Sequence, residues 1–186
     1  PPLTHPRLSP PATRTATTHH PPRTPGGNVS LTHLFGSRII EAIADLPEMN
    51  AGYTEVDGKP AVAHSAHVNL GLAIDLAKPD GTRQLLVPNI KGAEAMDFAQ
   101  FWTAYEDMVR RARAGTLAPD DLAGTTITLT NPGTIGTVSS LPRLMVGQGA
   151  IVRVGAMDYP AELQGSPAQL LSRRGVSKVL PLASPY

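Results

Sequence analysis

Prolines are spread unevenly along this chain, and their placement decides which part of it can fold. Eight of the 19 fall within residues 1–28, at positions 1, 2, 6, 10, 11, 21, 22 and 25. Proline fixes φ and has no backbone N–H, so neither a helix interior nor a central strand can be built through such a run. The only aliphatic side chains larger than alanine in this stretch are Leu3 and Leu8, and no acidic residue precedes Glu41. Lacking a period of 2 or 3.6, the stretch cannot bury enough surface to offset the entropy of ordering. Residues 1–28 are therefore expected to be a Pro/Thr-rich disordered or diverged segment, and residues 29–186 the folded domain. The three arginines of the segment stand without aromatics, a weak footprint for nucleic acid.

The rest of the chain has the material for a core. Hydrophobic residues make up 41% of the sequence and charged residues 17%, within a length of 186 that suits one domain. The 16 basic and 15 acidic side chains nearly cancel, which argues against a nucleic-acid partner and against an acidic tail protein. Cysteine is absent, excluding disulfide scaffolds, thiolate metal sites and cysteine nucleophiles. No apolar run approaches the roughly 18 residues that span a bilayer, and no secretory leader is visible at the N-terminus. A cytoplasmic protein without a membrane partner is expected.

Local signals then place the elements. Ser30 is an N-cap candidate, followed by Leu31, Leu34, Phe35, Ile39, Ile43 and Leu46 at helical spacing, and Pro47 stops the run. Asp57-Gly58 between Tyr53–Val56 and Lys59–Val62 predicts a hairpin. Val68–Ile74 reads as one strand and Leu85–Ile90 as another, paired across the Pro79-Asp80-Gly81 turn. Ala93–Ala114 predicts the longest helix, with Met96, Ala99, Phe101 or Trp102, Tyr105, Met108, Val109 and Ala112 on one face and Gly115 ending it. A turn over Leu117–Leu122 precedes a β-branched strand, Thr125–Thr130, that breaks at Asn131-Pro132-Gly133. Short strands follow at Ala150–Val154 and Val176–Leu182. Strands and helices mix without a regular βαβ repeat, which gives an α+β or mixed-sheet α/β domain.

The chemistry legible from the residues is limited. There is no dinucleotide fingerprint, no phosphate-binding loop with its Lys-Ser/Thr, and no Gly-x-Ser-x-Gly elbow. His64 and His67 lead into a strand without a carboxylate pair, so no metal site is expected. The threonines at 125, 126, 128 and 130 suit a β-branched strand. A hydroxyl at the end of such a strand, beside an irregular turn, can also donate to a developing oxyanion.

In order along the chain, several segments resemble one family. "ADLPEMNAGYTEVDGKPAV", "HVNLGLAIDLAKPDGTRQLLVPNIKGAE", "RRARAGTLAPDDLAGTTITLTNPGTIGT" and "GQGAIVRVGAM" are similar to motifs of the dihydrolipoyllysine acyltransferase catalytic domain of 2-oxoacid dehydrogenase complexes. The corresponding family patterns include "NIGIAVDTPDGLLVPVI", "ARxGKLxPxDLxGGTFTISNxGxxG" and "PQxAILGVG". The likeness runs from about Val29 to Tyr186. The wording "YTEVDGKP", "AQFWTAYEDMVRRAR" and "LTNPGTIGTVSSLPRLMVGQGAI" most resembles the acyltransferase-like domain of the actinobacterial 2-oxoglutarate dehydrogenase/decarboxylase, a multifunctional enzyme.

The resemblance implies a chloramphenicol-acetyltransferase-like two-layer α/β sandwich, a mixed sheet with packed helices, truncated at its C-terminus here. It implies succinyl transfer, in the tricarboxylic acid cycle, with coenzyme A and dihydrolipoamide as substrates. Thiamine diphosphate and Mg would belong only to the fused decarboxylase part. The implied partners are two further copies in a homotrimer, a lipoyl-carrying acyltransferase and a dihydrolipoyl dehydrogenase. Residue by residue, the resemblance makes Thr130 the oxyanion donor, with Asn131 and Gly133 shaping the turn that presents it. The family's general base lies in an Asp-His-Arg-x-x-x-Gly motif expected just past Tyr186. None of His33, His64 or His67 matches it, so no base is named in this chain and the chain alone is expected to be inactive. The rival expectation is a non-catalytic oligomerisation module that holds the fused decarboxylase together.

Overall fold

A computed structural model describes residues 27–158. Most of the proline-rich segment, the strand expected at Val176–Leu182, and Tyr186 lie outside the described residues.

Helix α1 (Leu31–Asp45) begins where its capping chemistry places it. The Ser30 hydroxyl accepts from the His33 amide at 3.4 Å, and the Ser30 amide donates to His33 Nδ1 at 3.0 Å. This is a capping box with histidine in the role usually taken by Glu or Gln. The buried face is rotated from the stripe expected: Leu31 and Leu46 are exposed, whereas His33, Gly36 and Ile43 are buried. The cause is the neighbouring helix. A Cβ at Gly36 would stand 2.7 Å from Phe101 Cζ, so only glycine lets that ring approach.

The Asp57-Gly58 hairpin forms as expected, joining β1 (Ala51–Val56) to β2 (Lys59–His64). Asp57 and Gly58 have φ of 52° and 72°, the left-handed pair a two-residue type I′ turn demands. The next expected hairpin is interrupted on both sides. Val68–Ile74 is not one strand but the end of a longer path, with β3 (Leu70–Leu72) separated at Ala73 from β4 (Ile74–Ala77). The Ala73 amide leaves the hairpin to donate to Leu129 O at 3.0 Å. On the return side β5 (Arg83–Leu86) and β6 (Asn89–Ile90) are parted by Pro88, which has no N–H for the ladder.

The long helix also starts later than expected. Residues Ala93–Ala95 form a 3₁₀ turn, and α2 (Phe98–Ala114) begins after Asp97. Asp97 accepts from the Gln100 amide at 2.8 Å, and Gln100 Oε1 accepts from the Asp97 amide at 2.9 Å. The turn expected over Leu117–Leu122 contains a short helix, α3 (Pro119–Leu122).

Strand β7 (Ile127–Thr130) is central. It lies parallel to β3 on one side and to β8 (Ala150–Arg153) on the other, giving the order β6-β3-β7-β8. Leu70, Leu72, Ile90, Ile127 and Leu129 meet Ile43 of α1 with Phe101 and Met108 of α2 in one core. Because strand side chains alternate faces, Thr128 and Thr130 point away from that core. The result is the mixed-sheet α/β architecture expected, with helices on one sheet face. No described helix is long and apolar enough to cross a membrane.

Candidate functional site

Thr130 occupies the last position of β7, and the residues after it leave the sheet at once. Asn131 and a 3₁₀ turn over Pro132–Ile135 follow, closed by Gly136 in the left-handed region. Pro132 supplies no N–H and so ends the ladder. The backbone of the turn is fixed on the β8 side, where Val154 N–H donates to Thr130 O at 2.8 Å and Gly133 N–H donates to Val154 O at 3.1 Å. Gly133 lies so close to the following segment that a Cβ would fall 2.1 Å from Gly155 O. On the other side the Asn131 amide donates to the Thr32 hydroxyl of α1 at 2.8 Å. Thus the three residues singled out from the sequence, Thr130, Asn131 and Gly133, come together in one rigid turn.

Beside it opens a cleft of about 410 Å³ lined by Thr130, Asn131, Asp75, Arg83, Ser140 and Leu141 among others. The Thr130 hydroxyl has no hydrogen-bond partner among the described residues, so it remains able to donate to a bound group. Across the cleft Arg83 Nε reaches Asp75 Oδ2 at 2.9 Å. That guanidinium holds the Asp75 carboxyl below its ordinary range, mainly through the hydrogen bond. Leu85, Ile135 and Leu141 leave apolar surface exposed around the mouth.

None of the described histidines lines this cleft. His33 is buried, with Nε2 2.9 Å from Glu106 Oε1. His67 pairs with Glu94 at 2.7 Å near the opposite end of β7, and His64 ends β2. One residue that supports the site carries no local sequence signal: Thr32 reaches the turn from a helix 99 positions away. Farther along β7, Gln148, in the segment that resembles the family pattern "PQxAILGVG", accepts from the Thr128 hydroxyl at 3.2 Å.

Comparison with known proteins bears on this geometry. The family profile that matches is "2-oxoacid dehydrogenases acyltransferase (catalytic domain)", over residues 12–177. The chain belongs to this family. The profile match begins at residue 12, earlier than the Val29 at which the motif likeness starts, inside the stretch whose lack of periodicity gives motif reading nothing to hold. The acyltransferase domain is 56% identical over 168 residues to the "Multifunctional 2-oxoglutarate metabolism enzyme" of Mycolicibacterium vanbaalenii, covering 90% of this chain. With the protein of the same description from Mycobacterium sp. (strain JLS) it shares 55% over 173 residues. The chain spans about 14% of the length of these curated relatives.

Among solved structures, the acyltransferase domain resembles a truncated catalytic core of the 2-oxoacid dehydrogenase multienzyme complex from Thermoplasma acidophilum. That likeness has 27% identity and a TM-score of 0.58, over 72% of this chain and 59% of the other. The dihydrolipoamide acetyltransferase of Azotobacter vinelandii shares the fold, with a TM-score of 0.59 at 23% identity over 73% of this chain and 53% of the other. The acyltransferase domain departs from the family pattern at one position beside Thr130. In "AIVRVG", Arg153 stands where the family pattern "AILGVG" has glycine, and it is the register partner of Thr130 on β8. Its guanidinium donates to Val138 O at 3.2 Å.

Proposed function

We propose that this chain is the acyl-transferring module of a multifunctional 2-oxoglutarate-metabolising enzyme, moving a succinyl group between dihydrolipoamide and coenzyme A. The observation that carries the reading is the Thr130 hydroxyl, which faces a cleft at a strand end without a hydrogen-bond partner among the described residues, while its turn is held on two sides. In the transfer, the thiol of one substrate attacks the thioester carbonyl carbon of the other. A C–S bond forms, negative charge moves to the carbonyl oxygen, and collapse of that oxyanion expels the first thiol. A preorganised hydroxyl aimed at that oxygen stabilises the charge where it develops, and Thr130 takes this role. The proton of the attacking thiol passes to a base outside the described residues.

In this reading the lipoyl group is charged by a thiamine-diphosphate- and magnesium-dependent decarboxylation outside this chain. A lipoyl-carrying acyltransferase and a dihydrolipoyl dehydrogenase complete the sequence. Assembly as a homotrimer belongs to the same reading.

A second reading, a non-catalytic oligomerisation module, is favoured by one observation: no described histidine lines the cleft. The deciding experiment is succinyl transfer from succinyl-CoA to dihydrolipoamide by the full-length protein and its Thr130→Ala variant. The transfer reading expects a loss of about 10²-fold. An unchanged rate removes Thr130 from the mechanism, and no transfer by the full-length protein itself leaves the module reading.

A further inference from the structure

Thr32 is the second residue of α1, and that end of the helix is anchored from three directions. Ser30 and His33 cap each other through their backbone amides. The His33 ring lies edge-on to Tyr105 with centroids 4.2 Å apart. His33 Nε2 stands 2.9 Å from Glu106. The first turn of α1 is therefore fixed to α2 and through it to the core. From this platform the Thr32 hydroxyl accepts the Asn131 side-chain N–H at 2.8 Å.

The turn has few other supports. Among the described residues, the Asn131 to Thr32 bond is the one side-chain hydrogen bond from residues 131–136 to another element. Thr134 Oγ1 bonds back to Asn131 O within the turn at 3.1 Å. The remaining ties run through the backbone toward β8. A turn held by backbone on one edge can pivot about that edge, and a side-chain tie on the opposite edge removes that freedom. Thr130 directly precedes Asn131, so the same tie sets where its hydroxyl points.

We infer that Thr32 is a positioning residue for acyl transfer, fixing through Asn131 the turn that presents Thr130. This rests on the reading of Thr130 as the oxyanion donor. Thr32 touches no reacting atom; it acts by geometry, and geometry at a reacting centre is costly to lose, since displacement by about 1 Å can lower a rate by about 10²-fold.

The test uses the full-length protein with Thr32→Val, Thr32→Ser, Asn131→Ala and the Thr32→Val/Asn131→Ala double variant. Two quantities are measured: succinyl transfer from succinyl-CoA to dihydrolipoamide, and amide hydrogen exchange at residues 131–137, with the α2 amides as the control for folding. Thr32→Val is expected to lower kcat by about 10-fold or more with KM little changed, and to speed exchange at Gly133 and Gly136 while α2 stays protected. Thr32→Ser restores both quantities. The double variant is no worse than Asn131→Ala alone, because both changes remove one bond. Unchanged exchange in Thr32→Val, equal impairment in Thr32→Ser, or additive losses in the double variant overturns the inference. If Thr130→Ala slows transfer and Thr32→Val does not, the positioning role alone falls. If Thr130→Ala has no effect, the oxyanion reading falls, and with it the positioning role, whatever the exchange shows about the tie itself.

Discussion

Nε2 of His33 lies 2.9 Å from Oε1 of Glu106, joining the first turn of α1 to the middle of α2. Burial of the ring pushes the His33 pKa below its ordinary 6.5, and Glu106 recovers only part of that shift. Nδ1 already accepts the Ser30 amide, so the neutral ring carries its proton on Nε2, toward Glu106. The sign of the pH dependence follows. Between the lowered folded value and 6.5, the unfolded chain binds a proton that the folded chain does not. Stability then rises with pH across that window and is lost as pH falls through it. The thermal midpoint is expected to drop as pH falls below 6.5, and His33→Gln is expected to flatten that part of the profile. An equal drop in the variant would assign the effect to other groups.

A second acid window belongs to carboxylates. Arg111 Nη1 reaches Asp121 Oδ2 at 2.6 Å and its Nη2 reaches Asp121 Oδ1 at 2.9 Å, while Nε bonds Asp107 at 2.9 Å. The hydrogen bonds from Arg111, with help from the Ala118 amide, hold Asp121 below its ordinary 3.8. Stability from a lowered carboxylate is present above the ordinary value and lost as pH falls through the folded one. The destabilisation caused by Arg111→Gln should therefore be largest near neutrality and shrink as pH falls below 3.8. Urea midpoints followed through the single tryptophan, Trp102, would show this; a constant difference across pH would exclude the ion pairs as its source.

Asn89 is a buried side chain whose work is structural. Its Nδ2 donates to Ala123 O at 2.9 Å, Asp121 O at 3.1 Å and Thr125 Oγ1 at 3.1 Å. These bonds seat the end of α3 and the segment after it against the sheet just before β7 begins. Asn89→Ala leaves those acceptors without their donor, and an unsatisfied buried polar group costs about 1–3 kcal/mol. Denaturant unfolding should register a loss of that size, with faster amide exchange over residues 121–126. A loss well below this range would mean that the segment finds other donors.

The parts of this fold legible in the sequence are those whose cause is local. Ser30 before an apolar stripe marks α1, Asp57-Gly58 marks a turn that needs two positive φ values, and Asn131-Pro132 ends β7 because proline brings no N–H. What escaped depends on partners far along the chain. The split of Val68–Ile74 at Ala73 answers to Leu129 O, and the break at Pro88 reorganises the return strand. His33 and Gly36 carry no hydrophobic signal, yet they form the buried face of α1 because Tyr105, Glu106 and Phe101 of α2 fit against them. The true start of α2 was written in Asp97 and Gln100, but Met96 extends the apolar stripe past it. At the candidate site, the turn of Thr130, Asn131 and Gly133 was legible through the family motif, while its tie to Thr32 was not, since nothing near Thr32 in sequence points to a turn 99 residues away.

The turn's two glycines separate steric fit from backbone strain. A Cβ on Gly133 would lie 2.1 Å from Gly155 O, 2.3 Å from Gly155 C and 2.6 Å from Ala156 N. All three are backbone atoms, so no flexible side chain can yield and the turn itself must move. The Gly133 amide bond to Val154 O, at 3.1 Å, would be pulled apart in the process. Gly136 differs: a Cβ there meets nothing within 4 Å, but its φ is 83°, so alanine adds left-handed strain of about 1–2 kcal/mol without a clash. Both variants should unfold at somewhat lower denaturant, Gly133→Ala by about 1–3 kcal/mol through overpacking. Their rates should diverge. Gly133→Ala displaces the support of Thr130 and is expected to lower succinyl transfer by about 10²-fold, whereas Gly136→Ala keeps most of it. Equal rates in the two variants would show that the position of this turn does not set the rate, and Thr130 would lose its place at the reacting centre.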